Sequence, residues 1–362
     1  MQDRLRLFLC GAGNRALPKD PQRSHWRGWI ETIRRSPRFE LVGIQDADPS
    51  SLTRVATSGV LPEDRLFTDL AAGLARLRPD AVLICPVAQA HAPQALVSIA
   101  AGCHVLVEKP FVTRLADGVT VCREAEAAGV VVAVIQTWRA KAVGRAMRRA
   151  VVEGLIGQVG QIFFRYLRNR EGSSLPPYLF EESFPLLYAI GVHHFDLFRY
   201  VLGENVVRVE GRGFRPPWSR YASPPTVHMA METAGGVLIS YAGTFASQGG
   251  ALPQEDLAVE GERGTLLNRS DWSEPPLYLS RVGSSELQDL TADVEERDPR
   301  SQYDAADAWF LEDFYAAVTG TRPPLCPGAD NLWTLAALEG AALACQSGKP
   351  VDVADILHQA GF

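Results

Sequence analysis

The sequence has no Cys-x-x-Cys pair, no long apolar run and no excess of basic charge. Its six cysteines, Cys10, Cys85, Cys103, Cys122, Cys326 and Cys345, are scattered, several of them inside apolar stretches. That excludes zinc-finger spacing and predicts reduced packing residues rather than a disulfide framework. The seven histidines show no metal spacing on one helix, so no metal is expected. The longest apolar run, Val130 to Ile135, is far too short to cross a bilayer, and no membrane partner is expected. Met1-Gln2-Asp3-Arg4 leads straight into a hydrophobic strand without a signal-like apolar segment, which predicts a cytoplasmic address. A formal net charge of −6 supplies no counterion-release term, so nucleic acid is not an expected partner.

What is present is ordinary for a globular enzyme: 46% hydrophobic and 22% charged residues over 362 positions, enough chain for two domains. Up to about residue 137 short apolar runs alternate with helical patterns. Leu5–Cys10, Leu41–Ile44, Ala81–Cys85, Val105–Val107 and Val130–Ile135 read as strands apolar on both faces. Trp26, Trp29, Ile30 and Ile33 fall at helical spacing, and Pro93–Ala101 and Val119–Ala128 give further helices. The pattern predicts an α/β Rossmann domain with a parallel sheet, residues 1–137. A basic amphipathic helix, Ala140–Glu153, opens the remainder. Strands then follow in succession at Val159–Leu167, Val227–Glu232, Val237–Thr244, Leu257–Glu260 and Thr265–Leu267, with Gly235-Gly236 as a hairpin turn. Gly283–Ser301 reads as a surface loop, and helices are expected at Ala305–Thr319 and Asn331–Ser347. Residues 138–362 are therefore expected to form an α+β domain with a large, mainly antiparallel sheet, its terminal helices free to pack back on the first domain.

The chemistry-bearing residues cluster at strand ends. Gly11-Ala12-Gly13-Asn14-Arg15-Ala16 fits the dinucleotide fingerprint with alanine in the third place. The first glycine permits the tight turn and the second lets backbone approach a pyrophosphate. Pro18 and Pro21 interrupt the helix that should follow, which predicts a displaced helix dipole and a larger share of phosphate binding for backbone N–H groups. Asp46, at the end of the second strand, suits the ribose hydroxyls and would repel a 2′-phosphate, so NAD is expected over NADP. Asp48, the competing carboxylate, also reads as a helix cap before Pro49-Ser50. The run His104-Val105-Leu106-Val107-Glu108-Lys109-Pro110 delivers a lysine at the carboxyl end of a parallel strand, where open sheets of this kind place their chemistry. Together these features predict a nicotinamide-dependent oxidoreductase.

The ordered set resembles the glucose–fructose oxidoreductase / inositol dehydrogenase / rhizopine-catabolism family, Gfo/Idh/MocA, over nearly the whole chain. It comprises the fingerprint, Pro86, His91, Ala101-Gly102-Cys103-His104, Glu108-Lys109-Pro110, Gly154-x-x-Gly157, His193-His194-Phe195-Asp196 and the Ala336–Val353 stretch. The resemblance implies hydride transfer between NAD(H) and a small-molecule alcohol or ketone such as a sugar or polyol, in a cleft between the two domains. It implies Lys109 beside the nicotinamide and the substrate hydroxyl, where an ammonium stabilises a developing alkoxide or passes a proton. It implies His193 as acid/base or hydroxyl ligand, a role suited to an imidazole. The cofactor residues carried over are Gly11, Gly13, Asn14, Arg15, Ala16, Asp46, Pro86, His91, Glu108, Lys109 and Gln136, with Gln136 facing the nicotinamide amide. Arg139 either meets substrate or opens the basic helix. Homodimers or homotetramers are implied, formed through the open face of the second-domain sheet. Ile162, Phe164, Val227, Met229 and Met231 either supply that face or pack beneath the domain's own helices.

One position departs from the family. An aspartate is usual four residues before the histidine; here it is Ala189. Glu181, Glu182 and Tyr188 are the candidates to replace it. The departure leaves open two alternatives: a non-alcohol substrate (an imine, lactone or tetrapyrrole), or a non-catalytic nucleotide-binding regulatory protein.

Overall fold

The computed structural model describes residues 4–171, 183–249, 253–271, 273–295 and 298–362. Glu181 and Glu182 lie outside them. The chain divides into two compact units: residues 1–140 with 299–332 and 361–362, and residues 141–298 with 333–360.

The first unit is built on a parallel six-stranded sheet in the order β3-β2-β1-β4-β5-β6. Its strands are β1 Leu5–Cys10, β2 Phe39–Gln45, β3 Leu66–Phe67, β4 Ala81–Ile84, β5 His104–Glu108 and β6 Val132–Ile135. All four residues of β4 and of β6 are buried, as a sheet covered on both faces requires. The helices between strands are α1 Trp29–Arg35, α2 Pro49–Thr57, α3 Leu70–Leu77, α4 His91–Ala100 and α5 Leu115–Ala128, and a short α6, Thr137–Ala140, closes the run. The strand order reverses between β1 and β4, so the glycine turn after β1 and the loop after β4 flank the switch point where such sheets bind ligands. The Pro299–Val318 helix belongs to this unit. Phe314 stacks on Phe39 at 6.3 Å between centroids, and Tyr315 meets the same ring edge-on at 6.0 Å.

The second unit opens with α7, Ala142–Val152, and carries a nine-stranded sheet. Its strands include β7 Val159–Leu167, β8 Val206–Phe214, β9 Thr226–Thr233, β10 Leu238–Thr244, β11 Glu255–Gly261 and β12 Gly264–Ser270. Pairing is antiparallel except between β7 and β10. Gly235-Gly236 forms the β9–β10 turn, with Gly236 at φ +82°. The expected loop at Gly283–Ser301 is more ordered than its polarity suggested: Leu287–Asp289 adds an edge strand, and the last helix of the first unit begins at Pro299.

Two strand faces decide how this sheet is used. Ile162, Phe164, Val227, Met229 and Met231 are all buried. Phe164 meets Phe198 of the Val192–Leu202 helix at 5.4 Å and the His194 ring at 4.5 Å, so this alternating apolar set is the unit's own core rather than an exposed association face. The opposite face presents Phe163, Arg165, Glu210, Arg212, His228 and Arg269.

Candidate active site

The turn after β1 is held by its neighbours. Gly11 N–H donates to Gln45 O at 2.7 Å and Ala12 N–H to the Asp46 carboxylate at 2.7 Å. Gly11 sits at φ +94°, and a Cβ there would lie 2.7 Å from the backbone nitrogen of Pro86. The turn is therefore pressed against the loop after β4, and only glycine fits. Gly13 is the opposite case: a Cβ would meet nothing within 4 Å, so its backbone faces open space.

The proline-bearing insertion does not displace the helix in the way its sequence suggested. Ala16 N–H and Leu17 N–H both bond Gly13 O, starting a helical turn. Trp29 N–H then donates to Arg15 O and Ile30 N–H to Ala16 O, each at 3.2 Å. The helix resumes in register across the excursion, so α1 stacks directly on the turn that begins at Gly13. Asn14 ties the excursion down: its Oδ1 accepts from Lys19 N–H, and its carbonyl accepts from the Trp26 indole.

Asp46 lies where β2 ends, one oxygen on Ala12 N–H and the other on Asp48 N–H. Asp48 caps α2 through Ser50, whose N–H and hydroxyl both donate to it; those bonds hold its pKa below the usual carboxylate value. Of the two carboxylates, Asp46 is the one attached to the glycine turn.

The Glu108-Lys109-Pro110 segment ends β5. Glu108 Oε1 accepts from Arg15 Nε at 2.6 Å and from the Trp29 indole at 2.9 Å. Arg15 also grips both oxygens of Asp307, at 2.8 and 2.6 Å. On the far side, His91 Nδ1 donates to Pro110 O at 2.7 Å, and its Nε2 lies 3.4 Å from Pro86 O. Burial lowers the His91 pKa against these carbonyls and Glu108, and the short bond to Pro110 O joins the start of α4 to the loop after β5. Lys109, half-buried, stands between two anchored neighbours. Where β6 ends, the Gln136 side chain is fully buried, and neither its Oε1 nor its Nε2 has a partner. An unpartnered buried amide is costly unless a ligand completes it. The open backbone at Gly13, the pressed turn at Gly11 and the unmatched amide of Gln136 fit a dinucleotide laid across the sheet's carboxyl edge. Arg139 is committed elsewhere, to Asp330 Oδ2 at 2.7 Å and Leu325 O.

In the second unit the two adjacent histidines, His193 and His194, are both buried. His194 is fully buried, shares a 2.7 Å hydrogen bond with the Tyr241 hydroxyl and packs on Phe164 and Tyr166. Burial pushes its pKa down to about 3, so it is a neutral core residue. His193 precedes it on the Val192–Leu202 helix. Asp196 accepts from the Thr334 hydroxyl at 3.1 Å, which fixes that helix to the Gly328–Ser347 helix. Ala189 sits in a π-helical turn, Leu187–Gly191, immediately before the histidines, and Tyr188 of the same turn is exposed. Among the described residues no group of histidine, cysteine, aspartate or glutamate side chains could hold a metal, and no helix is long and apolar enough to cross a membrane.

Sequence reasoning missed Asp307, Trp29 as a hydrogen-bond donor, and Lys141. Lys141 is a buried lysine whose pKa burial lowers to about 8 against the opposing pull of Glu255 and Glu274. No local pattern marks any of the three, because their partners lie far away in the sequence.

Comparison with known proteins covers almost the whole chain. Residues 5–136 match the NAD-binding Rossmann-fold domain of the Gfo/Idh/MocA oxidoreductases, and residues 148–353 match the family's C-terminal α/β domain. The 1,5-anhydro-D-fructose reductase of Ensifer adhaerens is 26% identical over 76% of this chain and 80% of its own length. A D-apiose dehydrogenase of Paraburkholderia graminis is 26% identical over 93% of this chain and 88% of its own. Among solved structures, an Agrobacterium radiobacter oxidoreductase crystallised with NAD+, L-tartaric acid and magnesium shares the fold. Its TM-score is 0.84 at 20% identity, covering 98% of this chain and all of that one. The two matched domains, in this order and over this length, make the chain an NAD-binding oxidoreductase of the Gfo/Idh/MocA family.

Proposed function

We propose that this oxidoreductase transfers a hydride between NAD(H) and a secondary alcohol or ketone on a sugar, polyol or closely related small molecule. The observation that carries the reading is Lys109, delivered at the end of β5 with the residue on each side pinned by side-chain hydrogen bonds. The names of the anhydrofructose reductase and apiose dehydrogenase relatives support a sugar-like substrate. Bound NAD supplies the hydride acceptor, at C4 of its nicotinamide ring. The chain's own residues do the rest. Backbone N–H groups from Gly13 onward hold the pyrophosphate, Asp46 accepts from the ribose hydroxyls, and Gln136 pairs with the carboxamide. Asp46 also disfavours a 2′-phosphate, hence NAD rather than NADP. Lys109 hydrogen-bonds the substrate oxygen: as the neutral amine it takes the hydroxyl proton when the carbon is oxidised, and as the ammonium it returns one when the carbon is reduced. His193 is the second unit's candidate for the acid/base role, one suited to an imidazole. Arg15 and Glu108 bind each other rather than the cofactor.

A substrate panel tests this: purified protein with NAD and a range of sugars and polyols, nicotinamide reduction followed by absorbance, beside Lys109→Ala. Turnover that falls by about 10²–10⁴ in the variant supports the reading. Silence across the panel with NAD still bound moves the assignment to a non-alcohol substrate or a regulatory role, the reading that Ala189 favours. We further propose that the protein works as a homodimer or homotetramer through the exposed face of the second unit's sheet. Phe163 is exposed on that face, and Arg165 and Arg269 beside it both pair with Asp256, which leaves an apolar side chain among locally satisfied charges.

A further inference from the structure

Arg15 occupies a fingerprint position, yet its guanidinium is spent entirely inside the first unit. Nε donates to Glu108 Oε1 at 2.6 Å, and Nη1 and Nη2 donate to the two oxygens of Asp307. Its carbon centre lies 4.6 Å from the Trp29 ring centroid and 5.5 Å from that of Trp26. The Trp29 indole N–H reaches the same Glu108 oxygen. The other Glu108 oxygen accepts from the N–H of Lys109 itself at 3.3 Å. Asp307 and Trp29 are fully buried, and Glu108 is 8% exposed. Two side-chain donors, one from the glycine turn and one from α1, thus fix one carboxylate, and that carboxylate holds the peptide of the lysine beside it.

The pairing is specific in geometry. One planar cation bridges two carboxylates and lies over two indole rings, which a lysine cannot reproduce. Burial works against the charge of Arg15, but Asp307 and Glu108 more than offset it and raise its pKa. Asp307 comes from the Pro299–Val318 helix, so the brace also clamps that helix against the glycine turn and the end of β5.

We propose that Arg15 and Asp307 are positioning residues for Lys109: they set the Glu108 carboxylate, and through it the strand-end peptide from which the lysine projects. Trp29 acts with them, while His91 anchors Pro110 on the other side. The inference rests on the reading of Lys109 as the residue that handles the substrate proton. It makes Arg15 a part of the proton-handling apparatus instead of a pyrophosphate ligand, and it gives a role to a helix more than 190 residues further along the chain.

The test is a two-residue cycle with a separate binding measurement. Arg15→Met, Asp307→Asn, Lys109→Ala and the double variant Arg15→Met/Lys109→Ala are assayed for kcat and KM, and for NAD affinity by calorimetry. Displacement of a reacting group by about 1 Å costs on the order of 10²-fold in rate. Arg15→Met and Asp307→Asn are therefore expected to lose about tenfold to a hundredfold in kcat, with the NAD Kd within about twofold of wild type. The double variant should be no slower than Lys109→Ala alone, because Arg15 acts only through the lysine. Arg15→Lys, which keeps the charge and loses the fork, should recover little of the loss. A raised NAD Kd in Arg15→Met with kcat intact, or losses that add in the double variant, overturns the proposal. Lys109→Ala at wild-type turnover would instead overturn the functional reading. Should Arg15→Met fail to fold, Asp307→Asn carries the test. A turnover-free readout is the acylation rate of the Lys109 amine, followed by mass spectrometry. It should change in Asp307→Asn relative to wild type, and an unchanged rate contradicts the brace.

Discussion

Gly11 and Gly13, two residues apart in one turn, should respond to the same substitution in opposite ways. In Gly11→Ala the new methyl would lie 2.7 Å from Pro86 N and 2.9 Å from the Cys85 carbonyl carbon, both backbone atoms that cannot rotate away. The φ of +94° adds a conformation that alanine rarely adopts. Such strain costs of order 1–3 kcal/mol, and relieving the backbone overlap brings the loss to about 3 kcal/mol. For a unit of this size that is a fall in Tm of roughly 6–12 °C. In Gly13→Ala nothing lies within 4 Å of the new methyl and φ is outside the left-handed region. Stability should stay within about 0.5 kcal/mol of wild type, or rise slightly as the unfolded chain loses freedom. The open space it fills is the proposed approach of the pyrophosphate, so its NAD Kd should rise at least tenfold, about 1.4 kcal/mol. Scanning calorimetry without ligand and titration with NAD measure the two quantities independently. A Gly13→Ala protein that binds NAD normally, or a Gly11→Ala protein of unchanged Tm, refutes the assignment of the turn.

Three other outcomes follow from named groups. His194 has a folded pKa of about 3 against an unfolded value near 6.5, so its neutral form contributes stability that is present above pH 6.5 and lost as pH falls toward 3. At about 1.4 kcal/mol per pH unit, denaturant unfolding should lose about 2–3 kcal/mol from this group between pH 6.5 and 4.5. His194→Gln should lack that component, and identical pH slopes would contradict it. Ala189→Asp restores the family's carboxylate in the turn before His193 and is expected to raise turnover of a secondary-alcohol substrate about tenfold or more; no gain would point to a substrate that is not an alcohol. Phe163→Asp, at a residue 45% exposed on the open face of the second sheet, should leave a folded monomer by light scattering, and an unchanged oligomer would place the interface elsewhere.

The parallel sheet was legible because its strands are buried on both faces and so appear as bare apolar runs. The second sheet was less so. β8, Val-Val-Arg-Val-Glu-Gly-Arg-Gly-Phe, was not anticipated, since charged residues and two glycines disguise it. Those glycines have a tertiary cause: a Cβ on Gly211 would come within 2.5 Å of Met229, and one on Gly213 within 2.4 Å of Phe184. The alternation of Ile162, Phe164, Val227, Met229 and Met231 correctly marked one face of the sheet, but periodicity carries no record of what covers a face. The helix holding His194 covers it. Likewise the fingerprint located Arg15 without its orientation, which depends on Asp307, 292 residues away. Pro18 and Pro21 break a helix locally, and nothing in their own neighbourhood announces that Trp29 and Ile30 resume it on Arg15 and Ala16.

The most direct test of the central claim is isotopic. The protein is incubated with NADH carrying deuterium at C4, in either stereochemical position, and with a keto-sugar such as 1,5-anhydro-D-fructose, and the product is analysed by mass spectrometry. The account predicts one deuterium on the carbinol carbon from one of the two cofactor isomers, with transfer lost in Lys109→Ala. Product without deuterium from either isomer, or transfer undiminished in the variant, would contradict it.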